Sequence, residues 1–123
     1  MNERKTVIIG ASPNPSRYAY VAAQMLKEKS VPFVPVGIKR GEVGGETIQD
    51  LRLKPAIEDV HTVTLYLAPK NQKEWQEYIL SLRPRRIIFN PGTENPELME
   101  SARAHNIDVV PACSLVMLSS GQY

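Results

Sequence analysis

Thr6-Val-Ile-Ile-Gly-Ala-Ser-Pro-Asn-Pro-Ser-Arg17 is a short apolar run that stops at a glycine, turns through small residues and prolines, and delivers an arginine to the start of a helical pattern. That order suits a strand, a tight loop and a helix N-terminus in succession. A glycine directly after a strand lets backbone approach a ligand closely, and small side chains leave loop amides open. The helix start carries partial positive charge, which favours an anion. Arg17 adds a permanent charge whose forked donors match phosphate oxygens. The loop from Gly10 to Arg17 is therefore expected to hold a phosphate.

Outward from this loop, short apolar runs alternate with amphipathic stretches, the pattern of βαβ units around a parallel sheet. Strands are expected at residues 6–10, 33–37, 63–67, 86–90 and 107–110, about five in all. Tyr18, Val21, Ala22, Met25 and Leu26 recur at helical spacing and are expected to form a core stripe. Trp75, Tyr78, Ile79 and Leu82 form a second stripe, with Asn71 and Glu74 spaced as a capping pair. Asn95-Pro96 places a cap residue before a proline at the first helical position, opening a helix that runs to about His105. Ser114 to Ser119 suits a last short helix. Pro35 removes a ladder donor and fits a strand terminus or an edge. Between Ile38 and Val60, Gly41, Gly44 and Gly45 break any period, so strand and helical turn both remain open there.

Size and composition narrow the function classes. A chain of 123 residues, 42% hydrophobic, fits one globular domain spanning 1–123 with a core of its own. The formal charge is +2, and the basic pairs Arg85-Arg86 and Lys39-Arg40 are short and lack interleaved aromatics, which argues against nucleic-acid binding. One cysteine makes no disulfide framework and fits a reducing cytoplasm. The N-terminus does not resemble a signal peptide, and no apolar run approaches the roughly 20 residues of a membrane span.

An open parallel sheet binds ligands at the carboxyl ends of its strands, near the point where strand order reverses. Three polar loops fall there: Gly10 to Arg17, Gly37-Ile-Lys-Arg-Gly41, and Asn90-Pro-Gly-Thr-Glu-Asn95. Their convergence points to a nucleotide-like ligand. An NAD site would carry G-x-G-x-x-G and an acidic residue at the end of the second strand. Here position 12 is serine, and Gly37 is followed by Lys39 and Arg40. Basic residues at that point suit a ribose bearing an extra phosphate, as in NADP or coenzyme A; the plainer reading makes them solvated loop charges.

Gly10-Ala-Ser-Pro-Asn-Pro-Ser-Arg17, Val34-Pro-Val-Gly37, Asn90-Pro-Gly92 and the cysteine near the C-terminus together resemble the small single-domain CoA-binding proteins. The fold of that family is similar to the CoA-binding domain of the succinyl-CoA synthetase alpha subunit. The resemblance covers nearly the whole chain and implies a Rossmann-like three-layer α/β fold. It implies that Gly10, Ala11, Ser12, Pro13 and Arg17 hold the pyrophosphate of coenzyme A or an acyl-CoA. Gly37 and Lys39 would lie near the phosphorylated ribose, and Leu67-Ala-Pro69 would flank the adenine. Asn90, Pro91 and Gly92 would line the edge. The family usually has Asn-Pro after the second strand, where this chain has Gly37-Ile38, and an arginine after the third, where it has Ala68-Pro69.

Catalytic groups are harder to find. His61 precedes a strand, and His105 ends a helix, where an imidazolium suits the dipole. Two distant histidines and one cysteine make no zinc constellation. Cys113 is either a small buried hydrophobe or a thiol near the ligand edge. Ser12 has no visible base, which makes it a loop hydroxyl rather than a nucleophile. Trp75 and Tyr78 are explained by the core stripe. The chain is thus expected to bind a CoA ligand without catalytic machinery of its own. The rivals are an NADP-dependent reductase and a regulatory or structural subunit. A homo-oligomer and a synthetase-like partner both stay open.

Overall fold

Val7, Ile8 and Ile9 are fully buried with side chains alternating to both faces, as the middle of a sheet covered on two sides requires. The computed structural model describes residues 4–123 and places these three in β1 (Thr6–Ile9). The strands that follow are β2 (Phe33–Gly37), β3 (Glu42–Val43), β4 (Glu46–Thr47), β5 (Gln49–Asp50), β6 (Thr62–Leu65), β7 (Arg86–Phe89) and β8 (Asp108–Val110). Six of them form one sheet in the order β5-β2-β1-β6-β7-β8, every pair parallel. β3 and β4 make a separate antiparallel hairpin.

Four helices cover the sheet: α1 (Tyr18–Glu28), α2 (Gln76–Ser81), α3 (Pro96–Ala104) and α4 (Ser114–Ser119). Val7, Ile9, Leu65, Ile87 and Phe89 pack on one face with Tyr78 and Ile79 of α2 and Leu98 and Ala102 of α3. On the other face Ile8 packs with Ala19, Ala23 and Leu26 of α1 and Leu118 of α4. The result is the expected Rossmann-like three-layer α/β arrangement, with helices on both faces of a parallel sheet.

Several local expectations need correction. The core face of α1 is Ala19, Ala22, Ala23 and Leu26, so the helix is turned about one residue from the expected stripe, leaving Tyr18 74% and Val21 38% exposed. Alanines let α1 lie close to the sheet, and a stripe chosen for the largest apolar residues misses a face built from small ones. Asn71 and Glu74 do not cap α2; the chain makes 3₁₀ turns at Pro69–Asn71 and Lys73–Trp75, neither with a side-chain cap. β1 and β7 stop one residue short of the expected ends, and β6 covers Thr62–Leu65 rather than 63–67, leaving Leu67 in the loop. The undrawn segment from Ile38 to Val60 supplies the hairpin and the sixth strand, β5.

Other details match. Pro35 sits in β2, whose outer neighbour β5 pairs only Val36 and Gly37, so the proline lies beside uncovered edge. Asn95 caps α3, its side-chain oxygen accepting from the Leu98 amide at 3.3 Å, with Pro96 at the first helical position. The expected last helix is α4.

Candidate functional site

Strand order reverses between β1 and β6: the chain runs from β1 outward through β2, then returns to the other side of β1 for β6, β7 and β8. Loops leaving the two strands at such a switch point splay apart and leave a crevice. All the expected site residues lie at or after the carboxyl ends of β1, β2, β6 or β7 and so fall on this one edge.

The first two loops and the β6 loop are pressed together by missing side chains. A Cβ on Gly10 would come within 2.9 Å of the Tyr66 carbonyl carbon, one on Gly37 would overlap the Ala11 carbonyl oxygen, and one on Gly41 would sit 2.7 Å from Pro13. Glycine is therefore required at 10 and 37 by backbone against backbone. The amides of Gly10 and Ala11 both donate to the Val36 carbonyl, at 2.9 and 3.0 Å, so they tie the loop to β2. Asn14 folds the rest: its amide donates to Ser12 Oγ, its side-chain oxygen accepts from Ser16, and its carbonyl accepts from the Arg17 amide. Ser12 and Pro13 are half-buried, while Arg17 stands exposed as the N-terminal residue flanking α1. Its side chain makes no capping bond, so the first turn of α1 opens on the edge without a side-chain acceptor. Lys39 and Arg40 are exposed on the adjoining loop.

Farther along the edge, polar side chains bind one another. Asn90 is 3% exposed; its Nδ2 donates to Thr64 Oγ1 at 2.7 Å and the Leu65 carbonyl at 2.8 Å, and its Oδ1 accepts from the Ser114 amide at 2.8 Å. Thr64 and Ser114 hydroxyls join at 2.8 Å. Gln72, fully buried, donates to the Leu67 and Thr93 carbonyls, each at 2.8 Å, and accepts from Asn95 Nδ2 at 3.0 Å. Thus β6, β7, their loops and the start of α4 are pinned as a unit. Pro91 and Gly92 lie exposed at the tip of the β7 loop, with nothing within 4 Å of a Cβ added at Gly92. Leu67 is half-buried beside Gln72 and Ala68 is exposed.

Thr64, Tyr66, Gln72, Thr93 and Ser114 went unnoticed in the sequence. A threonine between Val63 and Leu65 in a fully buried strand is a readable signal of an inward polar group; nothing local marks Gln72. The Tyr66 hydroxyl is buried and makes no hydrogen bond among the described residues, and desolvation pushes it up to about 12. The Ser114 and Thr64 hydroxyls pull the other way but lie outside hydrogen-bonding geometry with it. Cys113 is half-buried where α4 begins. His61 lies at the opposite end of the sheet, just before β6, and His105 closes α3 with Nδ1 2.7 Å from the Ser101 carbonyl. Among the described residues no group of His, Cys, Asp and Glu could hold a metal ion, and no helix is long and apolar enough to cross a membrane.

The fold is shared by solved structures. A crystal structure of an uncharacterized protein is 53% identical, with a TM-score of 0.94 and 98% of both chains covered. A hypothetical protein from Pyrococcus horikoshii OT3 is 26% identical, TM-score 0.80, with 95% of this chain and 82% of that one covered. A protein from Thermus thermophilus, cell-free ID.343, is 22% identical at a TM-score of 0.82, covering 98% and 90%, a likeness of fold alone. Among curated proteins none matches. The sequence from residue 4 to residue 119 matches the family described as the CoA binding domain, and with nearly the whole chain inside that match the protein belongs to this family.

Proposed function

We propose that the protein binds coenzyme A or an acyl-CoA in the crevice between the carboxyl ends of β1 and β6. The observation that carries this reading is the start of α1. In a member of the CoA-binding domain family, an 11-residue helix opens at the strand-order switch point with no side-chain cap and an exposed arginine beside it. Uncapped first-turn amides and a guanidinium together suit a diphosphate. Gly10, Ala11, Ser12 and Pro13 shape the wall of that site, and with the Gly10 and Ala11 amides committed to Val36, the donors fall to the α1 turn and Arg17. Lys39 takes the ribose phosphate beside Gly37. Leu67 and Ala68 flank the adenine, while Asn90 holds its loop and Pro91 and Gly92 form its outer rim. The Gly37-Ile38 and Ala68-Pro69 departures from the family pattern leave the ribose and adenine with fewer polar contacts than the diphosphate.

Calorimetric titration tests this with coenzyme A, its 3′-dephospho form and NADP, on the natural protein and on Arg17→Ala. Coenzyme A binds tightest, and Arg17→Ala weakens it by about 1.5–3 kcal/mol, the range for a charged hydrogen-bond partner. Equal affinity for the dephospho form removes the role of Lys39. Tighter binding of NADP favours a reductase.

A further inference from the structure

A recess lies at the other end of the sheet, an open hollow of about 1470 Å³ below the amino ends of β1, β6 and β7. Arg4 and Lys5 enter it ahead of β1, Val60 and His61 ahead of β6, and Arg83 and Arg85 between α2 and β7, while Ile57 and Leu82 contribute apolar surface. Glu58 and Asp59 also line it, yet among the described residues no ion pair joins Lys5, Arg83 or Arg85 to an acidic side chain. The Lys5 ammonium is held by the Glu58 carbonyl at 2.8 Å, and Arg4 donates to the Tyr123 carbonyl. The positive field is felt inside the hollow: burial and then the guanidinium groups of Arg86, Arg4 and Arg85 hold the His61 imidazole below its ordinary value.

Arg83 sits there at a conformational cost. It follows α2 in the left-handed region, φ +50°, with its amide on the Leu80 carbonyl. The equivalent positions after α1 and α3 are Ser30 and Asn106, at φ +58° and +61°. Short polar side chains, Asn above all, tolerate that region better than a long one, so an arginine stands where a less strained residue would close the helix equally well.

We propose that this recess binds a small polyphosphate anion, at a site separate from the one on the carboxyl edge. Cations from two chain segments, Arg4-Lys5 and Arg83 with Arg85, converge beside His61 on one concave surface, the arrangement that concentrates an anion of high charge density. The carboxylates of Glu58 and Asp59 in the lining disfavour a long, uniformly charged nucleic-acid strand over a compact anion.

Nuclear magnetic resonance titration of the whole chain with inorganic pyrophosphate, at about 50 mM salt to limit screening, tests it. The amide signals of Lys5, His61, Arg83 and Arg85 shift and saturate, and the His61 titration midpoint rises once an anion offsets the arginine field. Arg83→Gln with Arg85→Gln weakens binding about tenfold, the loss of one charged contact or more. Arg17→Ala leaves it unchanged, which separates this site from the coenzyme A reading. Asp59→Asn, whose new side chain tolerates the left-handed φ of +56°, tightens binding and serves if the double variant does not fold. Shifts that never saturate, that appear only at residues 10–17, or that keep their midpoint in these variants overturn the proposal, as does saturation by an oligonucleotide without saturation by pyrophosphate.

Discussion

At the carboxyl ends of the strands Asn90, Gln72, Thr64 and Ser114 are buried and hydrogen-bonded within the protein, whereas at the amino ends Lys5, Arg83 and Arg85 line an open recess with no ion pair to an acidic side chain among the described residues. The first arrangement spends its polar groups on rigidity. Each buried donor and acceptor is matched within the protein, so the loops around the β1–β6 crevice are held in one geometry before any ligand arrives. The second leaves charge in water, where it costs little stability and remains available to a partner. A side chain's chemistry alone therefore does not mark it as a ligand contact; what it already bonds does. Asn90 and Arg17 stand in loops that both resemble family motifs, yet one is internally satisfied and the other is free to reach outward.

The largest test of this contrast is Asn90→Ala. Three hydrogen bonds are lost and the Ser114 amide is left buried without its acceptor, so unfolding in denaturant should show a loss of about 3 kcal/mol. A tenfold loss of coenzyme A affinity at unchanged stability would move Asn90 from framework to ligand contact and break the comparison.

Gly92→Ala is expected to be milder. The residue has φ +92° but open space around it, so the cost is backbone strain of about 1 kcal/mol with no clash. Thermal melting followed beside coenzyme A binding decides its role: a fall in stability alone assigns Gly92 to the turn, and lost binding at nearly unchanged stability brings the loop tip into the site.

The smallest effect belongs to the amino edge and appears in pH. His61 in the folded chain is held below its ordinary value of 6.5, so the unfolded chain takes up the proton first as pH falls. Stability contributed at this position is therefore complete above 6.5 and is lost as pH drops from there through the folded value. Urea unfolding between neutral and mildly acidic pH should show that slope, and His61→Gln should flatten it. Added salt should reduce the part due to Arg86, Arg4 and Arg85. An unchanged slope in the variant would remove the arginine field from the account of this edge.

Local sequence carried much of the fold because alternation of apolar runs and turn residues is a local signal. Thr6 to Ile9, Phe33 to Gly37 and Asn95-Pro96 each announce their structure within a few residues, through burial period, strand length and cap chemistry. The family resemblance rested likewise on contiguous motifs, and residues 4–119 match the CoA-binding domain family. Contacts distant in sequence stayed illegible. The phase of α1 depended on how closely its alanines pack against the sheet and α4, and β5 exists only because β2 offers Val36 and Gly37 as partners. Gln72 is buried because Leu67, Thr93 and Asn95, up to 23 residues away, present the groups it bonds. The gathering of Lys5, His61, Arg83 and Arg85 has the same origin: each is an ordinary polar residue at the end of its own element, and only the parallel register of β1, β6 and β7 brings those ends together.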